Sequence, residues 1–168
     1  MKAIIQIVTS CSLAVEHVPK CSIGNGMLIL LGISKTDTQA EARLLAEKIL
    51  RLRVFHDENG KINLSLLDPY VSGDAMIVSN FTLYADCTKS RRPDFAKAAS
   101  PGEAEALYAY FVSYFREQGN QWIRTAYKHN REMAVVETGE FGGYMQINLV
   151  NDGPITIHMD TDDFVKKL

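Results

Sequence analysis

Gly26-Met27-Leu28-Ile29-Leu30-Leu31-Gly32-Ile33 carries no polar side chain, and how it folds decides the fold class. A strand with one wet face alternates apolar and polar residues. An unbroken apolar run of this length is instead expected of a strand buried on both faces. Ahead of it, Ala3 to Thr9 and Ser12 to Val18 read as two further strands. Behind it, Thr38-Gln39-Ala40-Glu41 has capping-box spacing before a helix that carries Leu45, Ile49 and Leu52 on one face. Asp57-Glu58-Asn59-Gly60 predicts a turn after Val54-Phe55, and Ala75 to Ser79 a strand running into Asn80-Phe81-Thr82-Leu83-Tyr84. A second helix is signalled by Ser100 as N-cap, Pro101 as first helical residue and Glu103 as the return arm of a capping box. Ala104, Leu107, Phe111 and Tyr114 recur behind it at helical spacing, an aromatic stripe suited to core packing. After a polar stretch from Gly119 to Arg131 come three strand-like runs, Met133 to Val136, Tyr144 to Val150 and Ile155 to Met159, the last two separated by a turn. Many strands, two principal helices and no βαβ alternation with a glycine-rich phosphate loop predict an α+β fold. The expected architecture is a single domain over 1–168, with a mainly antiparallel sheet curled into a barrel-like core.

Composition narrows the function classes. The chain has 168 residues, 46% of them apolar, with 18 Lys+Arg against 20 Asp+Glu and a net charge of -2. That content excludes wholesale disorder and is too neutral for bulk attraction to nucleic acid, so any RNA contact must use local basic patches. No apolar run approaches a membrane span, and Met1-Lys2-Ala3-Ile4-Ile5-Gln6 does not resemble a secretory leader, so a soluble cytoplasmic protein is expected. Cys11, Cys21 and Cys87 are an odd set without CxxC or zinc-like spacing and are expected to be free thiols. His17, His56, His129 and His158 are scattered, and no G-x-S-x-G, Walker A or HExxH motif is present. Neither a metal nor a cofactor is expected, and a Ser-His-Asp hydrolase is a poor fit.

Two segments remain. Ser79-Asn80-Phe81-Thr82 places two hydroxyl residues three apart where a strand ends, and Asn151-Asp152-Gly153-Pro154-Ile155-Thr156 sits between two strands. Each alone is consistent with ordinary turn chemistry. Together they resemble the D-aminoacyl-tRNA deacylase family. The resemblance continues through Ile5-Gln6, Leu30-Leu31-Gly32-Ile33, Gly60-Lys61-Ile62-Asn63, Arg92-Pro93-Asp94-Phe95, Ala106-Leu107-Tyr108, Tyr110-Phe111, Thr138-Gly139-Glu140-Phe141 and Met145-Gln146.

The resemblance implies a homodimeric hydrolase that cuts the ester between a D-amino acid, or glycine, and the terminal ribose of tRNA, as chiral proofreading in translation. It places Ser79 and Thr82 at the reacting ester, with backbone N–H groups around Phe81 and Thr82 as oxyanion donors. Asn80, Met145, Gly153, Pro154 and Thr156 fall in the substrate-binding set. It further implies a cis Gly153-Pro154 peptide that enters the partner subunit's pocket and crowds the position an L side chain would need. Gly153 lacks a Cβ, which allows that close approach. Thr82 has no base beside it in sequence, so positioning and hydrogen bonding are expected of it rather than covalent catalysis. Lys89, Arg91 and Arg92, with Lys97, form the basic group expected to meet tRNA phosphates, and Arg124, Lys128 and Arg131 form a second. Two departures stand out: the family usually has Gln where this chain has Asn80, and Arg where it has Ile7. The rival expectation is a non-enzymatic dimeric nucleic-acid-binding module on the same fold.

Overall fold

The computed structural model describes residues 1–71, 73–127 and 135–165. In chain order the elements are β1 (Lys2–Val15), β2 (Val18–Ile23), β3 (Gly26–Gly32), α1 (Gln39–Leu50), β4 (Phe55–His56), β5 (Ile62–Leu64), β6 (Asp74–Ser79), a 3-10 turn (Phe81–Tyr84), α2 (Pro101–Tyr127), β7 (Val136–Thr138), β8 (Met145–Asp160) and α3 (Thr161–Val165). The main sheet runs β2-β1-β3-β6-β7, with β8 on β1, and β4 and β5 pair separately.

β3 is buried as its composition requires, because its two faces meet two different cores. Met27, Ile29 and Leu31 pack with Ala3, Ile5, Ala75 and Ile77 against α1 and α2. Leu28 points the other way, into a second cluster with Val8, Cys11, Leu13, Met76 and Val78 that fills the inside of the curled sheet. α1 contributes Leu45 and Ile49 to the first core, and α2 contributes Phe111 and Phe115, whose rings stack 6.0 Å apart. Both helix starts follow their sequence signals. The Thr38–Glu41 capping box is closed on both sides, and the Ser100 hydroxyl donates to Glu103 at 2.6 Å.

Several boundaries differ from the sequence expectation. The two runs at the N-terminus are one continuous strand, β1, which continues through the exposed Thr9 and Ser10 because β8 pairs along nearly its whole length. The turn falls later, at Glu16 and His17, both with positive φ, and Val18 opens β2. Asn151–Thr156 is likewise no turn between two strands but an interruption inside β8. Gln6 pairs with Thr156 and Val8 with Asn151, so four residues of β8 stand opposite Ile7 alone. α2 extends through Gly119 to Tyr127, where a polar stretch was expected, because one face stays packed through Ile123 while the polar residues face solvent. Met133 and Ala134 lie outside the described residues, and the strand found there is Val136–Thr138. Residues 80–84 form a cap and a 3-10 turn rather than continuing the strand.

β1 pairs antiparallel with β2, β3 and β8, whereas β3 with β6 and β6 with β7 are parallel. The connections from β3 through α1 to β6 and from β6 through α2 to β7 are therefore helical crossovers, without a phosphate loop. Among the described residues, no helix is long and apolar enough to cross a membrane.

The parallel pair β3–β6 sets where Ser79 sits, and it begins at a glycine. A Cβ on Gly26 would overlap the Asp74 carbonyl oxygen and lie 2.7 Å from its carbon. Gly26→Ala must push the two strands apart at the first rung of their ladder. We expect it to lower unfolding free energy by at least about 2 kcal/mol, read as a drop in the urea midpoint.

Candidate active site

β6 brings Ser79 opposite Leu31 of β3, and one more rung follows, the Asn80 N–H donating to the Leu31 carbonyl at 2.8 Å. There the chain leaves the sheet. Asn80 is extended (φ -145°) and caps the 3-10 turn, its Oδ1 accepting from the Thr82 N–H at 3.1 Å. The Thr82 hydroxyl donates to the same oxygen. Asparagine suits this position because its short amide reaches back onto the turn it precedes. The Asn80 amide oxygen is thus engaged within its own turn.

Beside this turn lies a cavity of about 650 Å³. Ser79, Asn80 and Phe81 form one wall, and Phe141 to Met145 the other. Leu30 and Ile33 line it from the β3 side, and Ala104 from α2. Among the described residues lining it there is no carboxylate, histidine, lysine, arginine or cysteine. Phe81 is exposed at the edge and meets Phe95 edge-to-face, ring centroids 4.9 Å apart.

The two expected donors differ in their surroundings. The Thr82 N–H is taken by Asn80, whereas no acceptor among the described residues takes the Phe81 N–H. Thr82 does not line the cavity but lies exposed at its margin. Its hydroxyl is held by an amide oxygen, which cannot serve as a general base at neutral pH, so the arrangement does not activate a threonine nucleophile.

Other groups lie elsewhere. Ring nitrogen Nδ1 of His17 is hydrogen-bonded to Gln146 at 2.8 Å, and His56 and His158 sit on β4 and β8. His129 lies outside the described residues. The cysteines are free. Burial, with Cys21 close by, pushes the Cys11 thiol up to about 11, so it is protonated and unreactive at neutral pH. No cluster of metal-ligating side chains occurs among the described residues.

Gly153 and Pro154 do not join this cavity within one chain. Their peptide bond is cis, both residues are exposed, and Gly153 has φ +114°. Met145, the first residue of β8, reaches the cavity, but Gly153-Pro154 lies opposite Ile7, eight residues further along the same strand. At about 3.3 Å per residue that is roughly 26 Å along β8. Thr156 stands with Gly153-Pro154 rather than with Ser79, its hydroxyl accepting from Gln6 Nε2 at 3.4 Å. Ile7, where the resemblance leads one to expect arginine, is buried in the helix-side core.

Lys89, Arg91 and Arg92 are exposed on a loop whose ends are tied by reciprocal Asp86–Asp94 backbone bonds of 2.7 and 2.9 Å. The Ser90 hydroxyl braces it, donating to the Arg92 carbonyl at 2.6 Å. Lys97 is instead drawn to Asp86 at 3.5 Å. Of the second basic group, Lys128 and Arg131 lie outside the described residues.

Sequence reasoning assigned no role to Phe95, Phe141 or Tyr144, which shape the cavity. Phe95 and Phe141 stood within stretches that resemble the family, and Tyr144 beside the glycine pair Gly142-Gly143, a backbone that can border a ligand closely.

Comparison with known proteins places this geometry. The family model for D-Tyr-tRNA(Tyr) deacylase matches residues 4–160. A D-aminoacyl-tRNA deacylase of Thermosipho melanesiensis is 46% identical over 161 residues, covering 96% of this chain and 97% of that protein. One from Bacillus pumilus is 44% identical over 163 residues, covering 97% and 100%. Among solved structures, one titled c-Myc DNA Unwinding Element Binding Protein superposes with a TM-score of 0.77 at 39% identity, covering 95% of this chain and 98% of that one. A probable eukaryotic D-amino acid tRNA deacylase shares the fold, with a TM-score of 0.72 at 18% identity over 94% and 97%. The class is that of hydrolases acting on the ester of a charged tRNA. This chain belongs to the D-Tyr-tRNA(Tyr) deacylase family.

The cap separates the roles of Asn80 and Thr82. Thr82→Ala removes one exposed hydroxyl but keeps the N–H that Asn80 caps, so deacylation of D-Tyr-tRNA should stay within about tenfold of wild type. Asn80→Ala uncaps the turn, which costs about 1 kcal/mol, and should reduce the rate further. Single-turnover deacylation of both variants measures the order.

Proposed function

We propose that this protein hydrolyses D-aminoacyl-tRNA, and glycyl-tRNA, at the ester joining the amino acid to the terminal ribose. One observation carries the reading: just past the end of β6 the Phe81 backbone N–H has no partner among the described residues, at the edge of an apolar cavity whose described lining carries no charged side chain. A donor fixed in such a place stabilises the charge that develops on the carbonyl oxygen, and a donor of this kind is worth roughly 3–4 kcal/mol. The aminoacyl ester is already activated. Water adds to the carbonyl carbon, the bond to the ribose oxygen breaks, and that oxygen takes the proton, with the neighbouring ribose hydroxyl assisting the transfer. No protein base is needed, in keeping with the lack of one on the cavity wall. Ser79 hydrogen-bonds the substrate from β6, and Met145 packs against it from the opposite wall.

In this reading the active unit is a homodimer. The Gly153-Pro154 segment is displaced from its ladder and exposed, and it lies too far from its own Ser79 to act there. Its place is the partner subunit's cavity, where its main chain excludes an L side chain while leaving room for many D ones. Thr156 anchors the segment through Gln6. Lys89, Arg91 and Arg92, on a braced loop that ends at the cavity residue Phe95, meet acceptor-stem phosphates and hold the 3' end in register. A purely nucleic-acid-binding role is not favoured, since relatives at 40–46% identity over nearly the full chain are named as deacylases.

The decisive experiment is parallel hydrolysis of D-Tyr-tRNA and L-Tyr-tRNA by the purified protein. Rapid release from the D substrate alone is expected, and no release from either would refute the proposal. Gly153→Ala adds a Cβ only 2.7 Å from Ile155 Cγ1, at a φ that L residues rarely adopt. It should raise L-Tyr-tRNA cleavage relative to D by about tenfold or more, a loss of at least 1.4 kcal/mol in discrimination. Arg91→Ala with Arg92→Ala should flatten the fall of log affinity with log salt by up to about two in slope, since each lost phosphate contact removes about 0.7–0.9. An unchanged slope would move the RNA contact elsewhere.

A further inference from the structure

Behind the cavity, outside its lining, Tyr108 of α2 touches Phe141 of one wall and β6, the strand that carries the other. The residue is 7% exposed and its hydroxyl donates to the Ile77 carbonyl at 2.6 Å, two residues before Ser79 on β6. Its ring also packs at 5.9 Å and a 48° tilt against Phe141, which opens the opposite wall. The same Ile77 carbonyl accepts the Gly139 N–H at 3.2 Å, so the segment leading into Phe141 is tied to the same point of β6. Ala104, one helical turn before Tyr108, lines the cavity, so the helix reaches the site through Ala104 and braces it through Tyr108. Burial pushes the Tyr108 hydroxyl up to about 12, so it remains a donor throughout the neutral range.

We infer that Tyr108 is a positioning residue for deacylation, fixing the distance between the Ser79–Phe81 wall and the Phe141–Met145 wall. The inference rests on the deacylase function proposed above. The hydroxyl is what spans from α2 to β6, and without it the Ile77 carbonyl keeps one partner, the Gly139 N–H, so the fold should survive its removal. What changes is the freedom of the two walls relative to each other. Small misplacement of reacting groups by a residue remote from the chemistry can cost up to about a hundredfold in rate.

The test compares Tyr108→Phe with Tyr114→Phe. Tyr114 also donates a tyrosine hydroxyl bond, to Glu47 at 2.7 Å, but at the α1–α2 contact away from the cavity. With D-Tyr-tRNA, Tyr108→Phe is expected to lower kcat by about tenfold with KM within about twofold, as for a residue that does not touch substrate. Tyr114→Phe should lose comparable thermal stability and keep its kcat. Amide hydrogen exchange should quicken in peptides spanning 79–84 and 139–145 for Tyr108→Phe alone. A wild-type kcat in Tyr108→Phe, an equal fall of kcat in Tyr114→Phe, or unaltered exchange in both peptides would each overturn the inference. If the wild-type protein fails to cleave D-Tyr-tRNA, the deacylase function itself is refuted, and the exchange comparison alone then decides whether Tyr108 couples the walls.

Discussion

The two-sided burial of β3 governs the rest of the structure. Met27, Ile29 and Leu31 face the helices while Leu28 fills the curled sheet, so the strand is held from both directions and cannot shift register without exposing one set or the other. β6 is paired to it residue by residue, from Gly26–Asp74 to Leu31–Ser79. The position of Ser79, the Asn80 rung and the turn beyond are consequences of that pairing. A site edge built on the end of a doubly buried strand inherits the rigidity of the core, as the proposed mechanism by fixed donors requires.

The cavity follows a consistent chemical plan. Among the described residues no charged side chain lines it, and its polar atoms belong to main chain and to a few neutral side chains, Ser79, Asn80 and Tyr144. An apolar surround makes each remaining hydrogen-bond donor electrostatically stronger. Lys89, Arg91 and Arg92 stand off on the 87–93 loop, outside the cavity lining, where the proposed contact with a polyanion would leave the cavity's apolar surround intact.

Where one physical rule acted alone, the sequence was readable. β3 was legible because burial on both faces leaves a uniform apolar signature, and both helix starts because capping boxes are local. The continuity of β1 and β8 was not. Thr9 and Ser10 look like a break because they are exposed, yet pairing with β8 carries the strand through them. Asn151-Asp152-Gly153-Pro154 has the composition of a turn, and only the long-range pairing on either side turns it into a protrusion within one strand. α2 passed through Gly119 because packing outweighs the roughly 1 kcal/mol a helical glycine costs. For the site, Ser79 to Thr82 and Gly153-Pro154 stood out through a family likeness carried by many matches. Phe95, Phe141 and Tyr108 fell within those matches but received no role, since aromatic residues that shape a cavity look the same in sequence as those that fill a core.

The separation of Gly153-Pro154 from Ser79 along the sheet has a genetic consequence. In the proposed dimer, where wedge and pocket come from different subunits, two defective alleles would not be equivalent. A chain spoiled at its pocket and another spoiled at its wedge would assemble one intact centre per mixed pair, so co-expressed mutants could complement each other where neither alone retains fidelity. Accuracy would then belong to the assembly rather than to the polypeptide, and it would decline on dilution as the pairs come apart.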